Sequence, residues 1–210
     1  MIITAVMCTF GRHSLLERAV KCFLDQNLDT RHNLLIYNNS SKFLKLDNFS
    51  IPENKSIILI NNHLDLETDD NYTNVGDIFR DAMRFVPQDT HVVTFMDDDD
   101  IFLPNHLMEG QNGMRKAVRE GKRAYKPYYS YFKYGKKLSL EHNNMEPSIF
   151  VDLTYIKEKG FRRGIGDYHQ GWLDPMKSDK LILEDKDGKP TFIYDWSGNN
   201  GSWKISGGNN

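Results

Sequence analysis

The sequence predicts an α/β fold: a mostly parallel central sheet with helices on both faces, and a smaller antiparallel β portion in the C-terminal half. Three observations predict it. Short apolar runs alternate with helical periodicity through the first hundred residues, the order of a β/α layout. Those runs end in polar stretches (Thr9–Arg12, Asn38–Ser41, Asp97–Asp100), and parallel sheets bind ligands in the crevice beyond the carboxyl ends of their strands. After Lys122 the chain turns to tyrosine-rich runs around a Tyr134-Gly135-Lys136 turn, which is the chemistry of antiparallel β-structure.

Ile2 to Cys8 is the first strand, broken by Thr9-Phe10-Gly11-Arg12. Ser14-Leu15-Leu16-Glu17 has the form of a capping box, and Leu15, Leu16, Ala19, Val20, Phe23 and Leu24 continue at helical spacing to about Asp25. Leu34 to Tyr37 and Ile57 to Ile60 are the next strands, separated by a polar linker containing Pro52. After a polar loop, Val75 to Phe85 reads as a helix with Ile78, Phe79, Ala82, Met83 and Phe85 inward. Val92 to Met96 is a strand buried on both faces. Pro104 and Asn105 open a helix to about Glu120, although Gly110 and Gly113 weaken its middle. Glu146 to Leu153 is a further strand, and Thr154 can cap a helix Tyr155–Lys159 that stops at Gly160. Gly164 to Asp167 approach a last helix through Trp172 and Leu173, with Asp167 a possible N-cap. The stretch from Ile193 to Trp203 mixes aromatics with turn residues and reads as an ordered loop near the site.

The chain's chemistry is concentrated where Val92–Met96 gives way to Asp97, Asp98, Asp99 and Asp100. Four adjacent carboxylates raise one another's pKa, and a hydrophobic strand offers them no counter-charge. A hard divalent cation, completed by a phosphate, resolves the conflict. Extended geometry would send Asp97 and Asp99 to one side and Asp98 and Asp100 to the other, leaving one alternate pair for a metal. The plain alternative is a solvated acidic loop capping the next helix.

Composition narrows the classes further. With 210 residues, a hydrophobic share of 39% and a charged share of 27%, the chain suits a soluble globular protein. A formal charge of −2 predicts no general affinity for polyanions. Ile2 opens a strand without a signal peptide's basic region and apolar core, and no apolar run approaches the roughly 20 residues of a membrane span. Cys8 and Cys22 lack metal spacing and read as reduced core thiols, so a cytoplasmic protein is expected. The basic residues Lys122, Arg123, Lys126, Lys133, Lys136 and Lys137 interleave with Tyr125, Tyr128, Tyr129, Tyr131, Phe132 and Tyr134. They are either the outer face of antiparallel strands or a surface that stacks on an acceptor and attracts an anion.

Several stretches together resemble family 2 glycosyltransferases of the GT-A fold. Thr9-Phe10-Gly11-Arg12 with Leu15 to Ala19 and Phe23 to Gln26 is similar to that family's opening. Phe95 to Asp100 with Pro104 and Leu107 is similar to its D-x-D segment. Gly160-Phe161, Gly166-Asp167-Tyr168 and Trp172-Leu173 resemble its later acidic motif. Tyr194-Asp195-Trp196-Ser197-Gly198, with Asn200 and Ser202, resembles its closing stretch. The matches run in family order over nearly the whole chain.

The resemblance implies one glycosyltransferase domain over 1–210, with 1–100 holding the nucleotide-sugar and 101–210 the acceptor. It implies a donor that is usually UDP-linked, together with Mn²⁺ or Mg²⁺. Thr9, Phe10, Arg12, Asn38, Asn39, Asp97 and Asp98 fall at the donor; Asp97 and Asp99 at the metal; Asp167 at the base that takes the acceptor's proton. Trp172, Lys133 and Tyr131 are the candidate acceptor contacts. Asn38-Asn39 stand where the family usually has paired aspartates, Gly166-Asp167 where it often has Glu-Asp, and Ser197 where a histidine is common. If Asp167 only takes a proton, the product inverts at the anomeric carbon. The acceptor would be a glycan or other soluble hydroxyl compound, or a hydroxylated base in DNA. Two other classes remain: a nucleotidyltransferase, for which Gly11-Arg12 is a meagre phosphate loop, and a non-catalytic nucleotide-sugar-binding module.

Overall fold

The computed structural model describes residues 1–10, 12–144, 146–161 and 171–195. Two sheets organise it. The larger has seven strands in the order β10-β6-β9-β4-β1-β2-β3 and is mostly parallel. Its members are β1 (Ile3–Thr9), β2 (His32–Asn38), β3 (Lys55–Asn61), β4 (Val92–Phe95), β6 (Ala124–Pro127), β9 (Phe150–Asp152) and β10 (Ile182–Asp185). Only β9 runs antiparallel to its neighbours, β4 and β6. The smaller sheet has the order β5-β11-β7-β8, from β5 (Ile101–Phe102), β7 (Tyr129–Tyr134), β8 (Lys137–His142) and β11 (Phe192–Asp195).

Alternation along β1 assigns the helices to faces. Ile3, Ala5 and Met7 pack with Leu16, Ala19, Val20 and Phe23 of α1 (His13–Leu24) and with Leu107, Met114 and Ala117 of α3 (His106–Arg119). Val6 faces the other way, toward Ile78, Phe79 and Ala82 of α2 (Val75–Ala82), Ile156 of α4 (Leu153–Lys159) and Met176 of α5 (Leu173–Ser178). Both faces are covered, so β1 and β2 are almost wholly buried and read as continuous apolar runs.

The chain goes from β1 through α1 to β2 and β3 on one side, then returns through α2 to β4 on the other side of β1. Connections that depart in opposite directions open a crevice at the carboxyl ends of β1 and β4.

Several local expectations are corrected. The Ser14 capping box does not form: α1 starts two residues earlier, at His13, with Arg12 as N-cap and no side-chain cap bond. α2 is capped by Asn74, whose side chain accepts from the Asp77 amide, and it ends at Ala82 in a 3-10 turn that leaves Phe85 exposed. Asp152, not Thr154, caps α4 by accepting from the Thr154 amide at 2.8 Å. Gly160, with φ of 70°, ends it as read. α3 runs unbroken through Gly110 and Gly113, because a methyl group at either would overlap the Phe150 or Tyr125 ring. The glycines admit the aromatic rings of β9 and β6 against the helix.

Candidate active site

The acid turn follows β4 and bends back over the end of β1. The Met96 amide still bonds the Val6 carbonyl at 3.0 Å, continuing the β1–β4 pairing by one step. The backbone then turns at Asp98 and Asp99, and this breaks the two-fold alternation expected of an extended chain.

Asp98 is turned inward and fully buried. Thr9 donates to its Oδ2 at 2.6 Å, Arg12 Nε donates to the same oxygen at 3.1 Å, and Arg12 Nη2 bonds Oδ1. Burial pushes the Asp98 carboxyl up to about 6, opposed by Arg12 and Thr9. In this structure Asp98, expected at the donor, clamps Arg12 and Thr9. Arg12 also reaches Asp99 Oδ2 at 3.2 Å.

Asp97, Asp99 and Asp100 form the cluster, each offering a carboxylate oxygen within 4.8 Å of the others. Asp100 corrects the expected pairing, because the turn brings it round to the side of Asp97 and Asp99. It is buried, its Oδ1 accepts from the Asp195 amide at 3.0 Å, and its Oδ2 has no hydrogen-bond partner among the described residues. Burial, then Asp97 and Asp99, push its carboxyl well above the usual range. A buried carboxylate oxygen without a donor, beside two further carboxylates, is costly unless a proton or a cation meets it. Three oxygen ligands suit a hard divalent ion, so these residues fit Mg²⁺ or Mn²⁺. The Cys8 thiol is held protonated by burial and by Asp97 and Asp98, and Cys8 and Cys22 are free thiols.

The fold has counterparts among solved structures. Staphylococcus aureus TarS 1-349 in complex with UDP superimposes with a TM-score of 0.64 at 12% identity, over 93% of this chain and 60% of that one. Its complex with UDP-GlcNAc gives 0.61 at 11% identity, over 99% of this chain and 61% of the other. The mannosyltransferase PcManGT from Pyrobaculum calidifontis, in complex with GDP-Man and Mn²⁺, gives 0.60 at 10% identity, over 97% and 60%.

The chain has a GT-A fold.

It spans about three fifths of those solved chains, and 37% of a longer TarS chain. No family model matches the sequence, and no curated protein matches it.

Within the GT-A fold the other expected residues separate. Thr9 is buried on Asp98, whereas Phe10, just past the end of β1, is 54% exposed. Asn38 is buried and its amide is occupied: Nδ2 donates to the Lys42 carbonyl and Asn61 Oδ1, both at 2.8 Å, and Oδ1 accepts from the Ser40 amide. It shapes the loop after β2 rather than facing a base. Asn39, partly exposed, is tied by its amide to the Thr9 carbonyl at 3.0 Å.

Trp172 is fully buried and stacks on Phe95 at 5.6 Å between ring centroids, so α5 uses it as a core ring and not as an acceptor platform. Lys133 pairs with Asp195 at 3.3 Å. Tyr131 is partly exposed on β7, between Leu140 of β8 and Ile193 of β11. Half of the basic segment is paired with carboxylates, Arg123 with Asp152, Lys126 with Glu184 and Lys133 with Asp195, while Lys122 bonds the Lys180 carbonyl and Lys136 and Lys137 stand at the hairpin tip. Asp167 and the stretch from Trp196 to Trp203 lie outside the described residues. Asp195, part of the closing stretch read from the sequence and a reserve candidate for the base, joins the site, and Arg18 is an addition to it. Arg18 sits one turn into α1, and the spacing of the sequence gave it no signal.

No helix among the described residues is long and apolar enough to cross a membrane.

Proposed function

We propose that this chain is a metal-dependent glycosyltransferase moving a sugar from a nucleoside-diphosphate sugar to an acceptor hydroxyl with inversion. The observation that carries the reading is the acid turn. Asp97, Asp99 and Asp100 converge at the crevice between β1 and β4, with one buried Asp100 oxygen unpartnered among the described residues. The shared fold with proteins solved with UDP, UDP-GlcNAc and GDP-Man supports a nucleotide-sugar donor.

In this reading Asp97, Asp99 and Asp100 hold Mn²⁺ or Mg²⁺. When bound, the ion stabilises the charge that collects on the leaving diphosphate. The exposed Phe10 ring stacks on the nucleobase, with Asn39 at the same edge. UDP is the expected nucleotide by family resemblance. Asp167 takes the acceptor's proton as the hydroxyl attacks, and direct attack from the face opposite the diphosphate inverts the anomeric centre. Residues 1–100 serve the donor and 101–210 the acceptor. Tyr131, partly exposed on the small sheet, stays a candidate acceptor contact. Pairing of Arg123, Lys126 and Lys133 with carboxylates leaves less free positive charge for a polyanion and favours a glycan or other soluble hydroxyl compound over DNA.

The test is release of nucleoside diphosphate from a panel of nucleotide-sugars, with Mn²⁺ and with chelator. Asp100→Ala should abolish release, and Asp167→Asn should lower turnover by roughly 10² to 10⁴ while donor binding persists. Chelator-resistant turnover, or full activity of Asp100→Ala, contradicts the metal assignment. Near-normal turnover of Asp167→Asn moves the base elsewhere.

A further inference from the structure

Asp195 ends β11 on the small sheet, yet its backbone and its carboxylate both engage groups that hold the acid turn. Its amide donates to Asp100 Oδ1 at 3.0 Å. Its buried carboxylate accepts from Arg18 Nη1 at 3.0 Å and from Lys133 Nζ at 3.3 Å, both on Oδ2. Arg18 in turn donates its other terminal nitrogen to the Asp99 backbone carbonyl. Three elements distant in sequence, α1, β7 and β11, thus meet at two of the three cluster residues.

The turn needs such support. Its carboxylates repel one another, and its internal amide bond, from Asp100 to the Asp97 carbonyl, is long at 3.4 Å. Left to itself, like-charge repulsion would splay it before any cation arrived.

We propose that Asp195, with Arg18 and Lys133, is a positioning assembly that presets Asp99 and Asp100 for a divalent cation. Asp195 is then not the general base, since its carboxylate faces two cationic side chains. Lys133 serves this assembly and not an acceptor. Arg18 is suited to its place because a planar fork can bond a carboxylate and a carbonyl at once, while an ammonium is a point charge without that geometry. Outer-shell residues that orient metal ligands typically govern affinity by 10- to 100-fold. The inference rests on reading Asp97, Asp99 and Asp100 as the cation site.

The experiment is Mn²⁺ binding to the full chain, followed by the electron paramagnetic resonance signal of free Mn²⁺, without donor or acceptor. Asp195→Asn, which keeps the backbone amide on Asp100, and Arg18→Lys, which keeps the charge, should each weaken binding by roughly 10- to 100-fold. Asp89→Asn, which breaks the exposed Arg31–Asp89 pair, should bind as the parent does. Melting curves without metal check that each variant is folded, and Arg18→Lys carries the test if Asp195→Asn unfolds. Parent-like Mn²⁺ affinity in Asp195→Asn and Arg18→Lys overturns the positioning role alone. A parent chain that binds no Mn²⁺ overturns the cation site, and the positioning role with it.

Discussion

At the scale of single residues, Arg12 is where two accounts diverge. At the exit of the first strand its fork could reach a donor phosphate or the edge of the base, the place the family resemblance implies. The structure gives the fork to Asp98 and Asp99 instead. Because Asp98 is fully buried, removing its counter-charge leaves an uncompensated carboxylate in the interior. Arg12→Ala should therefore lower stability by about 3 kcal/mol, read as a shift of the urea midpoint without change of slope. Adding Asp98→Asn should restore much of that loss. An unchanged midpoint, with a raised donor KM, would return Arg12 to the phosphate. The four aspartates carry a related lesson. Their presence at a strand end was legible as a metal signal, but their sorting was not, because the chain turns at Asp98 and the alternation of an extended strand lapses. Nothing local marks a turn in a run of four identical residues.

At the scale of elements, long periodic segments were legible and very short strands were not. β1, α1, β2, β3, α2, β4 and α3 lie close to where apolar periodicity puts them. β5, β10 and β11 are two to four residues long and carry charges such as Glu184, Asp185 and Asp195, and their pairing is set by partners far away in sequence. Gly135 in the hairpin turn, with φ of 57°, was legible because its backbone region favours glycine. The α3 glycines were read as weaknesses and are instead contact points for aromatic rings. Gly113→Ala puts the two effects in opposition: alanine gains about 1 kcal/mol of helix propensity, but its methyl group meets the fully buried Tyr125 ring. Overpacking costs typically 1–3 kcal/mol, so the variant should melt lower. A higher melting temperature would mean that the sheet yields to the helix.

At the scale of the whole molecule, stability should depend on pH through buried titratable groups. His106 is fully buried beside Phe102 and Phe150, and burial lowers its pKa to about 3. The unfolded chain protonates it near 6.5, so between these values the unfolded state binds the extra proton and stability falls as pH falls. Asp98, raised to about 6, acts in the opposite sense, because there the folded state holds the proton. Comparing His106→Gln with the parent isolates the histidine. Between pH 7 and pH 5 the parent should lose about 2 kcal/mol more than the variant. Equal losses would mean that His106 is already open to solvent.

The central claim is that the acid turn and the crevice beside it bind a nucleotide-sugar through a divalent cation. Its most direct measurement is the melting temperature of the chain with UDP- and GDP-sugars, each with and without Mn²⁺, for the parent and for Asp99→Ala. A ligand that binds the native state stabilises by mass action, by about 2.7 kcal/mol at a hundred times its Kd. The account predicts that one nucleotide class raises the melting temperature only when Mn²⁺ is present, and that Asp99→Ala abolishes the rise. A rise of equal size without metal, or one that survives in Asp99→Ala, would contradict it.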